Sequence, residues 1–138
     1  MNNEHRNSNL SQSVEDYLES ILVLSSQLPS VRSVDVASHL GFSKPSVSHA
    51  VKTLQAAGYL NVKEGKRLEL TDAGKEAAVK TYQRHVFFTE MLEGIGVSRD
   101  VAQEDACKME HVISDETFEA IVRYYQKSRK EREKDSQN

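Results

Sequence analysis

Cys107, Glu110 and His111 stand at i, i+3 and i+4 within residues 104–114. On a helix that spacing projects a thiolate, a carboxylate and an imidazole from one face, about one turn apart. Such a donor set suits a borderline divalent metal. Three further donor-type residues lie elsewhere. Asp16 and Glu19 are one helical turn apart near the amino terminus, and His85 sits among apolar neighbours. Each has an ordinary alternative. Paired acids on a helix are commonly a solvated edge, a lone histidine a satisfied core residue, and a single cysteine a small buried hydrophobe. On its own the Cys-x-x-Glu-His cluster is open to catalysis, storage or sensing.

The elements that must position these residues are legible from periodicity. Val14, Tyr17, Leu18, Ile21, Leu24 and Leu28 recur at three- and four-residue spacing, so a first helix carries Asp16 and Glu19, with Ser11 or Ser13 as its cap and Pro29 closing it. A short helix over about 33–40 follows, ended by Gly41. Ser43 then caps a second helix from Lys44 to about Ala57, with Pro45 in its first turn and Gly58 at its end. A helix, a glycine turn and a capped helix form a helix-turn-helix. Residues 59–62 and 68–70 alternate as strands around the turn 63–67, predicting a hairpin wing. Thr71 or Asp72 caps a long helix to about Glu93, which carries His85. Gly94 and Gly96 break it. Ser98 caps the helix bearing Cys107, expected to run to about Val112. Ser114 caps a last helix with Phe118, Ile121, Val122 and Tyr125 on one face, and the polar residues beyond 127 are expected to trail off.

The fold class that follows is mainly α. A winged helix-turn-helix over 11–72, with a small β-hairpin wing, is followed by an all-helical domain over 73–127. A disordered arm over 1–10 and a charged tail over 128–138 flank them.

Charge is distributed to match. Net charge is −3, yet residues 43–67 carry Lys44, Lys52, Lys63, Lys66 and Arg67 against Glu64 alone. Residues 90–119 carry nine acids against Arg99 and Lys108. A basic segment followed by an acidic one fits a two-part protein with an anionic partner at one end. The basic and short polar residues fall on the two elements that touch DNA in a winged helix: Ser43, Lys44, Pro45, Ser46, Ser48, His49 and Lys52 on the recognition helix, Lys66 and Arg67 on the wing. Lys44 and Lys52 suit phosphates, whereas Ser46 and Ser48 suit base edges or phosphates. The expected partner is double-stranded DNA with a palindromic operator, bound by a homodimer. Phe87, Phe88, Met91, Leu92 and the last helix are the candidate dimer surface. No apolar run approaches the roughly 20 residues of a membrane span, and the polar amino terminus has no signal-peptide core. With one cysteine, no intrachain disulfide can form, so a cytoplasmic protein is expected.

Three stretches resemble the diphtheria-toxin-repressor family of metal-dependent transcriptional repressors, which includes iron-dependent repressors and manganese transport regulators. Ser13-Val14-Glu15-Asp16-Tyr17-Leu18-Glu19 is similar to the opening helix of the manganese regulators, and Ser43-Lys44-Pro45-Ser46-Val47-Ser48 to the family's recognition-helix start. Residues 105–114 resemble the iron repressors' metal helix, and the likeness spans about Ser13 to Tyr125. It implies metal-ligand positions at Asp16, His85, Cys107, Glu110 and His111, with Glu19 matching a ligand of the manganese branch. Asp16 follows the manganese branch, where iron repressors have methionine. Cys107 follows the iron branch, where manganese regulators have glutamate. Thr89 and Gln103 stand where iron repressors place ancillary ligands, so that site is not expected in its usual form. The lack of a third, SH3-like domain again matches the manganese branch.

The expectation is a regulator, not an enzyme: a repressor of metal-ion homeostasis genes activated by Fe(II) or Mn(II) bridging the DNA-binding and dimerisation domains. Thiolate and imidazoles favour Fe(II), and carboxylates keep Mn(II) close behind. Co, Ni or Zn would bind in vitro. The rivals are a Cys107-based redox-sensing winged-helix regulator and a small metal-dependent hydrolase.

Overall fold

The computed structural model describes residues 12–136. The expected arm over 1–10, the Ser11 cap and the last two residues of the tail lie outside the described residues. The chain divides into two compact units, parted between Tyr82 and Gln83.

The first unit begins with α1, Gln12–Gln27. Its stripe Tyr17, Leu18, Ile21 and Leu24 is buried, as the spacing requires. The short helix α2, Ser33–Leu40, starts where the Asp35 carboxylate accepts the Arg32 backbone N–H at 2.8 Å. It ends at Gly41, whose φ of 71° is the left-handed turn that leads into the next helix. Helix α3, Lys44–Ala56, is capped by Ser43, whose Oγ accepts the Ser46 N–H, and Pro45 occupies its first turn. Val47, Val51 and Leu54 are its buried face, one helical repeat apart. Together they share a single core with the α1 stripe, Val36 and Ala37 of α2, and Leu60, Leu68 and Leu70.

Strands β1, Leu60–Val62, and β2, Leu68–Leu70, pair antiparallel with Leu60 opposite Leu70 and Val62 opposite Leu68. The strand starts at Leu60 rather than Tyr59. Between the strands the turn spans Glu64–Lys66, with Gly65 at φ 69° and Lys66 at φ 61°, both left-handed. Arg32 holds this wing: its Nε donates to the Gly65 carbonyl at 3.0 Å. Thr71 caps α4, Asp72–Gly94, by accepting the Gly74 N–H at 3.1 Å. Gly74 is required there, because a Cβ would meet the Tyr59 carbonyl oxygen at 2.0 Å.

The second unit holds the rest of α4, then α5, Arg99–Met109, and α6, Asp115–Ser136. Ser98 precedes α5 in an extended conformation but makes no side-chain cap bond, whereas Ser114 caps α6 by accepting the Thr117 N–H at 3.2 Å. An aromatic cluster packs edge to face, with Phe87 5.5 Å from Phe118 and 5.7 Å from Tyr125 between ring centroids. Phe88 is fully buried and lies 5.6 Å from Phe118. Contrary to the expected trailing end, α6 continues through the charged segment to Ser136. Its residues there are good helix formers, and Arg129 and Glu133 form an i,i+4 pair at 3.7 Å. Among the described residues no helix is long and apolar enough to cross a membrane.

Candidate functional site

In the second unit α5 stops at Met109, short of the expected Val112. Cys107 occupies its last turn, Glu110 is the C-cap residue, and His111 lies in the turn beyond. The Glu110 N–H still donates to the Ala106 carbonyl at 3.0 Å, so helical spacing persists through Glu110. The ligand-type atoms of Cys107, Glu110 and His111 consequently lie within 4.8 Å of one another. Arg84 of α4 secures the turn that follows this helix end. Its Nη1 donates to the Glu110 carbonyl at 3.3 Å and the Ile113 carbonyl at 2.7 Å, and its Nη2 pairs with the Asp115 carboxylate.

His85, the next residue on α4, brings Nδ1 to 3.0 Å from Glu110 Oε2. With the proton on Nδ1 the ring donates to the carboxylate, and Nε2 keeps a basic lone pair. Glu110 itself is 1% exposed. Its second oxygen, Oε1, lies 3.3 Å from His111 Nε2, close enough for an ion pair by distance. Yet Oε1 accepts no hydrogen bond. Angle decides between the two criteria, because a hydrogen bond needs alignment as well as proximity. A buried acceptor left without a donor costs about 1–3 kcal/mol, more when charged. A divalent cation held by that oxygen would offset the deficit. The thiol, carboxylate and imidazole of Cys107, Glu110 and His111 fit such a cation, and His85 adds a second imidazole beside Glu110. Cys107 is exposed, so its sulfur is accessible from solvent.

The remaining candidates are placed as follows. Asp16 and Glu19 lie one turn apart on α1 of the first unit, both half-buried beside the apolar stripe. Thr89 is buried and its hydroxyl donates to the His85 carbonyl at 2.8 Å, and Gln103 is exposed.

On the first unit Ser43, Lys44, Pro45, Ser46, Ser48, His49 and Lys52 are all exposed, opposite the buried Val47, Val51 and Leu54. The Ser43 hydroxyl also donates to Ser46 Oγ at 2.8 Å, so the two serines act as one capped pair at the helix start. Lys66 and Arg67 are exposed on the wing, where Arg67 Nε donates to the Glu64 carbonyl at 3.1 Å.

Two arginines escaped the sequence reading. Arg32 ties the wing to the start of α2. Arg84 had a usable signal: it lies four residues before Phe88 and three after Thr81, both buried, so it sits on a buried face.

A winged helix-turn-helix followed by a helical unit with this donor set defines the class of metal-dependent transcriptional regulators. Residues 9–68 match the iron dependent repressor N-terminal DNA binding domain, and residues 71–137 match the iron dependent repressor metal binding and dimerisation domain. The transcriptional regulator MntR of Salmonella typhimurium is 34% identical over 113 residues, covering 82% of this chain and 72% of that protein. The iron-dependent repressor IdeR of Mycobacterium tuberculosis is 29% identical over 115 residues, covering 83% of this chain and half of that one. A manganese-dependent transcriptional repressor solved with manganese superposes with a TM-score of 0.72 at 25% identity, over 78% of this chain and 50% of that one. The chain belongs to the iron-dependent repressor family, whose members are transcriptional regulators.

Proposed function

We propose that the protein is a homodimeric, metal-activated repressor of metal-ion homeostasis genes, acting in the cytoplasm and without enzymatic activity. The observation that carries this reading is the buried Glu110 carboxylate, set between His85 and His111 with one oxygen lacking a hydrogen bond. The proposed ligands are Asp16, Glu19, His85, Cys107, Glu110 and His111. A divalent cation, when bound, supplies the positive charge that a cluster of carboxylates and a thiolate requires. Glu110 contributes the buried carboxylate, His85 is oriented by it, and Cys107 offers its sulfur from the solvent side. Asp16 and Glu19 are proposed to complete the set from α1, so that bound metal holds donors of both units.

The DNA-reading part is assigned to residues 11–72 and the metal-binding and dimerisation part to 73–127. Ser43, Lys44, Pro45, Ser46, Ser48, His49 and Lys52 are proposed to face the major groove, and Lys66 and Arg67 the adjacent backbone. A two-fold dimer calls for a palindromic operator. Linkage then requires metal and operator to strengthen each other's binding, typically by about 1–3 kcal/mol. The donor chemistry favours Fe(II), with Mn(II) next. The thiolate and imidazoles draw the softer ion, and the carboxylates tolerate the harder one.

The test uses a duplex selected from a random pool, titrated anaerobically with and without Fe(II) or Mn(II). Tighter binding with metal is expected. Equal affinity under all three conditions would sink the reading.

A further inference from the structure

We propose that Arg84 is a positioning residue for metal binding, one that sets Glu110 before any ion arrives; this rests on the metal-activated reading above. The motivating geometry is a three-way clamp. Arg84 Nη1 bridges the carbonyls of Glu110 and Ile113, which bracket the turn carrying His111. Its Nη2 holds Asp115, the first residue of α6. The guanidinium carbon lies 4.9 Å from the centroid of the Phe118 ring, one turn into that helix. The end of α5, the ligand turn and the start of α6 are therefore fastened to α4 at the residue next to His85.

Two consequences follow for the donors. The main chain of Glu110 is held at its carbonyl by Arg84, while its carboxylate is held at Oε2 by His85. Fixing a residue at both ends restricts its rotamers in the free protein, so less ordering entropy is lost when a ligand binds. A planar guanidinium spreads these donors over two nitrogens at a fixed spacing, whereas an ammonium offers its three from a single point. Stability alone gives a poor account of this residue. Arg84 is 8% exposed and its Nε is buried without a partner, a cost that well-packed apolar side chains would not carry.

The experiment uses the full chain, with Mn(II) and Co(II) as probes under anaerobic conditions. Metal affinity is measured by competition with a chromophoric chelator for the wild type, Arg84→Gln, Arg84→Lys and Asp115→Asn. Thermal unfolding of each is recorded without metal. Arg84→Gln is expected to weaken Mn(II) binding about 10-fold or more, the usual effect of removing a group that orients a ligand. Arg84→Lys should recover part of that loss, and Asp115→Asn should show a smaller one. In the Co(II) form, Arg84→Gln should retain the thiolate charge-transfer band of Cys107 while its visible bands change in intensity. If the melting temperature falls while metal affinity and the Co(II) spectrum stay at wild-type values, Arg84 is only a packing residue and the proposal is overturned. Should Arg84→Gln fail to fold, unchanged affinity in both Arg84→Lys and Asp115→Asn overturns it as well. A wild-type protein that binds neither ion overturns this inference and the functional reading together, whereas a wild type that binds metal with no effect in any variant overturns this inference alone.

Discussion

His85 Nδ1 lies 3.0 Å from Glu110 Oε2, joining two residues 25 positions apart in the chain. The pair orients an imidazole with a buried carboxylate, an arrangement that raises the basicity of the other ring nitrogen. Its partner oxygen, Oε1, is buried and accepts no hydrogen bond. This asymmetry within one carboxylate yields the first prediction.

Glu110→Gln should abolish metal-dependent operator binding while leaving the metal-free protein folded. The Gln side-chain oxygen can still accept from His85 Nδ1, so the melting temperature without metal should not fall appreciably. The rise in melting temperature on adding Mn(II), which measures binding to the native state, should disappear. Differential scanning calorimetry with and without the ion checks both statements.

Cys107→Ala should alter which metal is preferred rather than whether the chain folds. The residue is exposed, so little packing is lost. Without the thiolate, the advantage of soft over hard ions shrinks. The ratio of Co(II) to Mn(II) affinity, measured by competition, should fall, and the thiolate charge-transfer band should be absent. An unchanged ratio would remove Cys107 from the ligand set.

Lys52→Ala should weaken binding to operator and to unrelated duplex alike. A phosphate contact contributes affinity without sequence preference, and each one lost lowers the slope of log K against log salt by about 0.9. Ser48→Ala, in contrast, should change the preferred sequence if its hydroxyl reads a base edge. Salt titrations on selected and scrambled duplexes separate the two roles.

Gly74→Ala should destabilise the first unit by about 1–3 kcal/mol, the usual range for forcing an atom into filled space. Here the obstruction is the backbone carbonyl of Tyr59, which cannot swing aside as a flexible side chain would. Urea unfolding followed by circular dichroism measures the loss. Gly41→Ala, with nothing within 4 Å of its Cβ but a φ of 71°, isolates the cost of the left-handed backbone alone.

The helix-turn-helix was legible because its signals are local. Ser43, Pro45 and Gly41 act within a few residues of themselves, and Val47, Val51 and Leu54 repeat with the period of the helix they form. The end of α5 was not legible. Continuing to Val112 suits the local pattern, but the chain turns at Glu110, and a guanidinium from α4 holds the carbonyls of Glu110 and Ile113 on either side of that turn. The extent of α6 was hidden for the opposite reason. A run of charges reads as a solvated tail, although pairs such as Arg129 and Glu133 favour a helix when they fall one turn apart.

The amino-acid sequence by itself determined the donor types, their i, i+3, i+4 spacing, the caps at Ser43, Thr71 and Ser114 and the basic face of α3, since each depends on neighbours within about one helical turn. Only the tertiary structure decided that Glu110 is buried, that His85 takes one of its oxygens, and that Arg84 takes its carbonyl. Desolvation and pairing of that kind arise between residues brought together by packing. The partners here are separated by 25 and 26 positions in the chain, beyond the reach of any local periodicity.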